Sequence, residues 1–144
     1  MSAYDKAVDL LKTREHTAAE LKAKLKDKGF MAGEIDDAVE KLESEGYLSD
    51  ERFAEVYLRS RLRKTAEGKP ILIMRLMEKG VSKALASTMV SAVWDEEQYL
   101  PSLIRELKKL GNKYGREKAR QKLQQKGFTL SEIRRAEEES NEDE

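Results

Sequence analysis

The chain has 144 residues, of which 28 are basic and 28 acidic, so the formal net charge is zero although 39% of residues are charged. It has no cysteine, which excludes a disulfide framework and any thiolate metal site. The longest aliphatic run, residues 71–74, is far short of a membrane span, and Asp5 and Asp9 lie where a signal peptide is basic and then apolar. The expectation is a soluble, cytoplasmic protein with no membrane contact.

Two prolines, eight glycines and no alternating strand pattern predict an all-α chain. In chain order, the spacing predicts helices over 3–12, 17–28 and 32–44, then 50–64, 70–79 and 82–94. The last three are predicted over 98–110, 116–126 and 130–138. Thr17-x-x-Glu20 and Thr129-x-x-Glu132 are capping-box patterns, and Ser49 precedes acidic Asp50 and Glu51 in a first turn. Pro70 suits the first turn of a helix, where no amide donor is needed.

The chain repeats. Leu-x-x-Lys-Gly occurs three times, ending at Gly29, Gly80 and Gly127. Leu25, Leu76 and Leu123 lie four residues before these glycines, and Leu21, Leu72 and Ala119 lie eight before, so each set marks one helical face. Glycine there suits a left-handed residue ending the helix, with Lys28, Lys79 or Lys126 near the negative helix end. The repeats define three units of three helices, residues 1–48, 49–97 and 98–138, followed by an acidic tail, 139–144, expected to be disordered. Units of this size bury little alone, so they are expected to stack into an elongated, curved body.

Charge is uneven along the chain. Residues 1–97 carry 17 Lys/Arg and 19 Asp/Glu, residues 98–136 carry 11 against 3, and residues 137–144 carry six acids and no base. The basic stretch, net +8, suits a polyanion or an acidic protein face, and the adjacent tail, net −6, can shield it.

Catalysis finds little support. The one histidine, His16, is expected to be a solvated turn residue, and without cysteine it makes a poor zinc site. Gly68-Lys69 resembles the end of a phosphate loop, but Arg63 stands where a glycine is required and Pro70 replaces Ser/Thr. No enzyme activity, cofactor or metal is expected. Three helix-turn-helix readers are disfavoured as well, because the third helix of the first unit carries Glu34, Asp36, Asp37, Glu40 and Glu43 against one base, Lys41.

Bases instead gather at Arg59, Arg61, Arg63 and Lys64, with Lys69 and Arg75 just beyond, and at Lys113, Arg116, Lys118, Arg120 and Lys122. Aligned on the glycines, Lys69 falls on Arg116 and Arg75 on Lys122, so these eleven residues are the candidate set for binding nucleic acid or an acidic protein face. Phe53, Val56, Tyr57 and Leu58 are expected to face the core, and Trp94 to pack where the second and third units meet.

The segment Gly46-Tyr47-Leu48-Ser49-Asp50-Glu51-Arg52-Phe53-Ala54, with Tyr57 and Arg59-Ser60-Arg61 beyond it, resembles the RecX family of bacterial regulators of the RecA recombinase. Upstream, Thr17, Glu20-Leu21 and Leu25-x-x-Lys28-Gly29-Phe30 are similar to the family's Ser-x-x-Glu-Leu-x-x-x-Leu-x-x-Lys-Gly pattern. The resemblance covers residues 4–136. It implies stacked three-helix units with a basic concave side, and binding to the RecA–DNA filament that limits its growth, ATPase and coprotease activities. Direct contact with single- or double-stranded DNA is possible on this reading, and a monomer is expected. After Pro70 the chain departs from the pattern, with Ile71-Leu72-Ile73-Met74 where relatives often carry bases. Two alternatives stay open from the residues alone: a general nucleic-acid-binding module, and a helical adaptor for an acidic protein partner without DNA.

Overall fold

A computed structural model describes residues 1–142. Within them it contains nine helices and no strand: α1 (Ala3–Thr13), α2 (Ala18–Asp27), α3 (Ala32–Ser44), α4 (Asp50–Lys64), α5 (Lys69–Glu78), α6 (Lys83–Val93), α7 (Glu96–Tyr114), α8 (Arg116–Gln125) and α9 (Leu130–Glu142). None of the described helices is long and apolar enough to cross a membrane. The fold is all-α and repeat-like.

Local chemistry sets the helix ends. Thr17 and Glu20 form a reciprocal capping box at α2, and Thr129 and Glu132 form another at α9. Ser49 accepts from the Arg52 amide to open α4. The three repeat glycines have φ of 91°, 97° and 93°, and the amides after them return to Leu25, Leu76 and Leu123. That double bond pattern satisfies the last carbonyls of each helix, and only glycine adopts the required φ without strain. The three leucines are fully buried, as their equivalent places in the repeat predict.

Four expectations need correction. Helix α7 runs 19 residues, starting before Gln98 and continuing through Gly111 to Tyr114, and the break comes at Gly115, where φ is 87°. Helix α9 continues past Glu138 to Glu142, so the tail expected to be disordered from residue 139 is helical over the described part. Residues 143 and 144 lie outside the described ones. His16 is fully buried, not solvated, because its ring sits between the Arg14 carbonyl, 3.0 Å from Nδ1, and the Lys24 ammonium, 2.9 Å from Nε2. Val56 is exposed, whereas Phe53 and Leu58 are buried and Tyr57 packs against the core.

The helices pack as α1–α2–α3, α4–α5–α6 and α7–α8–α9, but the core is divided differently. Helix α4 packs on α6 and also on α7, so Leu58, Leu76, Val90, Leu103, Leu123 and Ile133 belong to one continuous apolar cluster. The first unit keeps its own core around Leu21, Leu25, Val39 and Leu42. Trp94 closes the seam between α6 and α7 by stacking on Tyr99 at 4.3 Å, and its indole N–H donates to Glu132 at 2.8 Å.

Polar contacts join the first unit to the second. Arg52 donates to Glu15 at 2.7 Å and to the carbonyls of Gly46 and Tyr47 at 3.0 Å each. Asp50 accepts from the Ala18 amide at 2.8 Å, and the Thr17 hydroxyl donates to the Lys79 carbonyl at 2.6 Å. The equivalent junction one unit along uses backbone, with the Gly68 amide donating to the Lys126 carbonyl at 2.8 Å. Central helices α2, α5 and α8 thus meet end to end, the start of one on the cap of the next. The accessible surface is 8713 Å², against roughly 7,600 Å² for a compact monomer of this mass, as an extended stack requires.

Candidate functional site

The eleven candidate bases fall into separate groups. Arg61 and Arg75 converge from α4 and α5 on Glu67, which is buried in the loop between those helices. Arg61 Nη2 lies 2.6 Å from the carboxylate, Arg75 Nε bonds its other oxygen, and the Thr65 hydroxyl donates at 3.0 Å. Burial pushes the Glu67 carboxyl up, but the hydrogen bonds from Arg61, Arg75 and Thr65, with the charge of Arg61, outweigh it and hold the group below the usual carboxylate range. Two cations on one anion leave a net positive site.

That site opens into a cleft of about 340 Å³, lined also by Lys64, Arg105, Lys109 and Lys126 and by the acid Glu106. Arg105 and Lys109 come from α7 and Lys126 from the cap of α8, so cations from four elements face one cleft. Lys126 pairs loosely with Glu106 at 3.8 Å. Six bases against two acids suit a polyanion.

Arg59 and Arg63 line a different opening of similar size with Asp95 and Gln98, and Arg59 pairs with Glu55 at 2.8 Å. Lys69 lies 5.9 Å from the Trp94 ring. Arg116 and Arg120 both turn to Glu137 on α9, at 2.9 and 2.7 Å. Their hydrogen bonds, led by Arg120, keep the Glu137 carboxyl below its ordinary range despite partial burial. Lys113, Lys118 and Lys122 surround the Tyr114 ring. On α5, where the resemblance marks a departure, Met74 and Met77 are exposed and the helix adds only Arg75 to the basic cleft.

Reading from sequence overlooked Arg105, Lys109, Glu67 and Glu137. Arg105 and Lys109 lie outside the repeat alignment, and it is the packing of α7 on α4 and α8, not its local pattern, that brings them to the cleft. The acids are found only by contact across elements, although basic residues clustered around a lone Glu67 were a usable signal.

Comparison with known proteins fixes the family. A family model described as "RecX, first three-helix domain" matches residues 3–42, and one described as "RecX, second three-helix domain" matches residues 49–89. The chain belongs to the RecX family. It is 32% identical to the regulatory protein RecX of Chlorobium phaeobacteroides, over 92% of this chain and 89% of that protein. It is also 32% identical to the RecX of Halorhodospira halophila, over 96% of this chain and 88% of that protein. The RecX of Bacillus subtilis is 27% identical over 90% of this chain, which spans only 52% of that longer relative. The crystal structure of RecX from Lactobacillus salivarius has the same fold, with a TM-score of 0.84 at 22% identity over 96% of this chain and 94% of that one. Within this family the Gly46–Ala54 segment has a structural role here: Gly46 caps α3, Leu48 and Phe53 are buried, and Asp50 and Arg52 lock the first unit to the second.

Proposed function

We propose that this RecX-family chain is a negative regulator of the RecA recombinase. It binds the RecA–DNA filament, limits its extension, and depresses its ATPase and coprotease activities, so that it modulates recombination, DNA repair and the SOS response. It acts in the cytoplasm as a monomer, by binding alone, with no catalytic step or cofactor. The observation that carries this reading is the cleft between α4, α5, α7 and α8, where Arg61, Lys64, Arg75, Arg105, Lys109 and Lys126 face Glu67 and Glu106. A filament presents both phosphates and protein carboxylates, and a rigid cleft with surplus positive charge attracts either.

The test is filament ATPase in the presence of the parent and of a Lys64→Gln, Arg105→Gln, Lys109→Gln variant. These three residues are exposed and leave the Glu67 cluster intact. The parent should inhibit, and the folded variant should inhibit less, with each lost phosphate contact flattening the log-affinity versus log-salt slope by about 0.7–0.9. A parent that leaves filament ATPase unchanged overturns the reading, as does a variant equal to the parent. Binding to DNA alone with the same affinity as to the filament would mark a general nucleic-acid module. Binding to recombinase alone would mark an adaptor.

A further inference from the structure

Tyr114 stands outside the cleft, as the last residue of α7, and is 37% exposed. The ammonium groups of Lys113, Lys118 and Lys122 lie 5.2, 5.3 and 4.5 Å from its ring centroid. Among the described residues none of these lysines has an ion-pair partner, whereas neighbouring Arg116 and Arg120 are both held by Glu137. Three cations without a carboxylate partner gather over one exposed aromatic ring, whose π-face attraction offsets part of their mutual repulsion. The core does not require them, because the α8 face that is buried consists of Ala119 and Leu123, and a stacked base would take the place of these flexible ammonium groups on the ring face. The hydrogen bond with Lys113 and its charge, followed by the charges of Lys122 and Lys118, hold the Tyr114 hydroxyl below its usual range despite the opposing effect of burial. The field at this ring is strongly positive.

We propose that Tyr114 is a stacking platform for one base of a single-stranded nucleic acid, whose flanking phosphates are held by Lys113, Lys118 and Lys122. This deepens the reading above and rests on it for its setting on a DNA-bound filament. Aromatic rings accept any base, and a base is available to stack only when it is not already paired and stacked in a duplex. Bare lysines would bind single and double strands alike through phosphate, so the ring supplies the preference for single strands. Positions 113, 114, 118 and 122 lie on the end of α7 and on the outward side of α8, the elements that bring them together.

The experiment measures binding of the full chain to oligothymidylate and to a duplex of the same length across a salt series. The parent should prefer the single strand. Tyr114→Phe keeps the ring and should bind like the parent. Tyr114→Ala should lose about 5- to 150-fold on the single strand, with an unchanged salt slope and unchanged duplex affinity. The triple change Lys113→Gln, Lys118→Gln, Lys122→Gln should flatten the single-strand slope by up to about 2. The proposal is overturned if Tyr114→Ala binds the single strand like the parent, if it loses equally on duplex, if it weakens binding to recombinase without DNA, or if the parent does not bind oligothymidylate. A parent that binds oligothymidylate through Tyr114 yet leaves filament ATPase unchanged overturns the regulator reading and leaves the stacking site standing.

Discussion

His16 and Glu67 are both buried ionisable residues, but they respond to acid in different pH ranges. His16 is pulled below its ordinary value by burial first and by the charges of Arg14 and Lys24, against the bond to the Arg14 carbonyl. Its Nε2 accepts from Lys24, so a proton there would confront an ammonium at 2.9 Å. The unfolded chain therefore takes up this proton first, and stability should fall as pH drops through about 6.5 toward the lower folded value. Urea midpoints at about pH 7.5 and 5.5 should show this loss, and His16→Gln should flatten it. Glu67 acts lower: its carboxyl is held below the ordinary 4.5, so its contribution is complete above that pH and is lost as pH falls through the folded value. Replacing Glu67 with alanine leaves Arg61 and Arg75 without their shared anion and should cost about 1.5–3 kcal/mol, read by denaturant unfolding at neutral pH.

At the scale of elements, the division of the core into two clusters predicts unequal effects from equivalent mutations. Leu25→Ala, Leu76→Ala and Leu123→Ala each empty a fully buried site and should each cost about 2–5 kcal/mol locally. Leu25 touches only the first unit's core, so its loss should reduce amide-exchange protection in α1–α3 and spare α5 and α8. Leu123→Ala should weaken α4–α9 together, because one apolar cluster runs through them. Equal loss across all nine helices in both variants would contradict two separable cores. The end-to-end contact of α5 and α8 is more exacting, since a Cβ on Gly68 would lie 2.1 Å from the Gly127 carbonyl oxygen. Gly68→Ala must push these backbones apart and should lower the melting temperature more than Gly33→Ala, where the added carbon meets nothing. The repeat leucines and left-handed glycines were legible because they obey local spacing rules that hold in every unit. The length of α7 was not, because Gly111 reads as a stop and only packing against α4, α8 and α9 carries the helix past it. His16, Glu67 and Glu137 were misread or missed because their partners come from other turns and other helices, which no local pattern encodes.

For the molecule as a whole, zero net charge conceals an arrangement in which α9 partly neutralises the basic third unit. The first acidic residue after the basic stretch, Glu137, is mostly buried and binds Arg120 through both oxygens, at 2.7 Å each, while Arg116 reaches the same carboxylate. Shielding by the acidic end therefore has a contact component, set by α9 packing on α7 and α8, in addition to the solvent-screened charge of the acidic residues that follow Glu137. Glu137→Gln keeps the helix and the side-chain length but releases two arginines beside the lysines around Tyr114. On the regulator reading, this variant should bind single-stranded DNA and filaments more tightly than the parent at low salt, with a log–log salt slope steeper by up to about 1.4 if both arginines then contact single-strand phosphates. Removing residues 138–144 while keeping Glu137 should raise affinity less steeply, because those charges act through solvent screened over about 8 Å at physiological ionic strength. Because Glu137 is an ion-pair partner as well as a shield, its replacement should also lower stability modestly, and affinity must be compared at temperatures where both proteins are folded. If Glu137→Gln binds no tighter than the parent at low salt while remaining folded, the two arginines serve α8–α9 packing alone and the positive face available to a polyanion is limited to the lysines and the α4–α7 cleft.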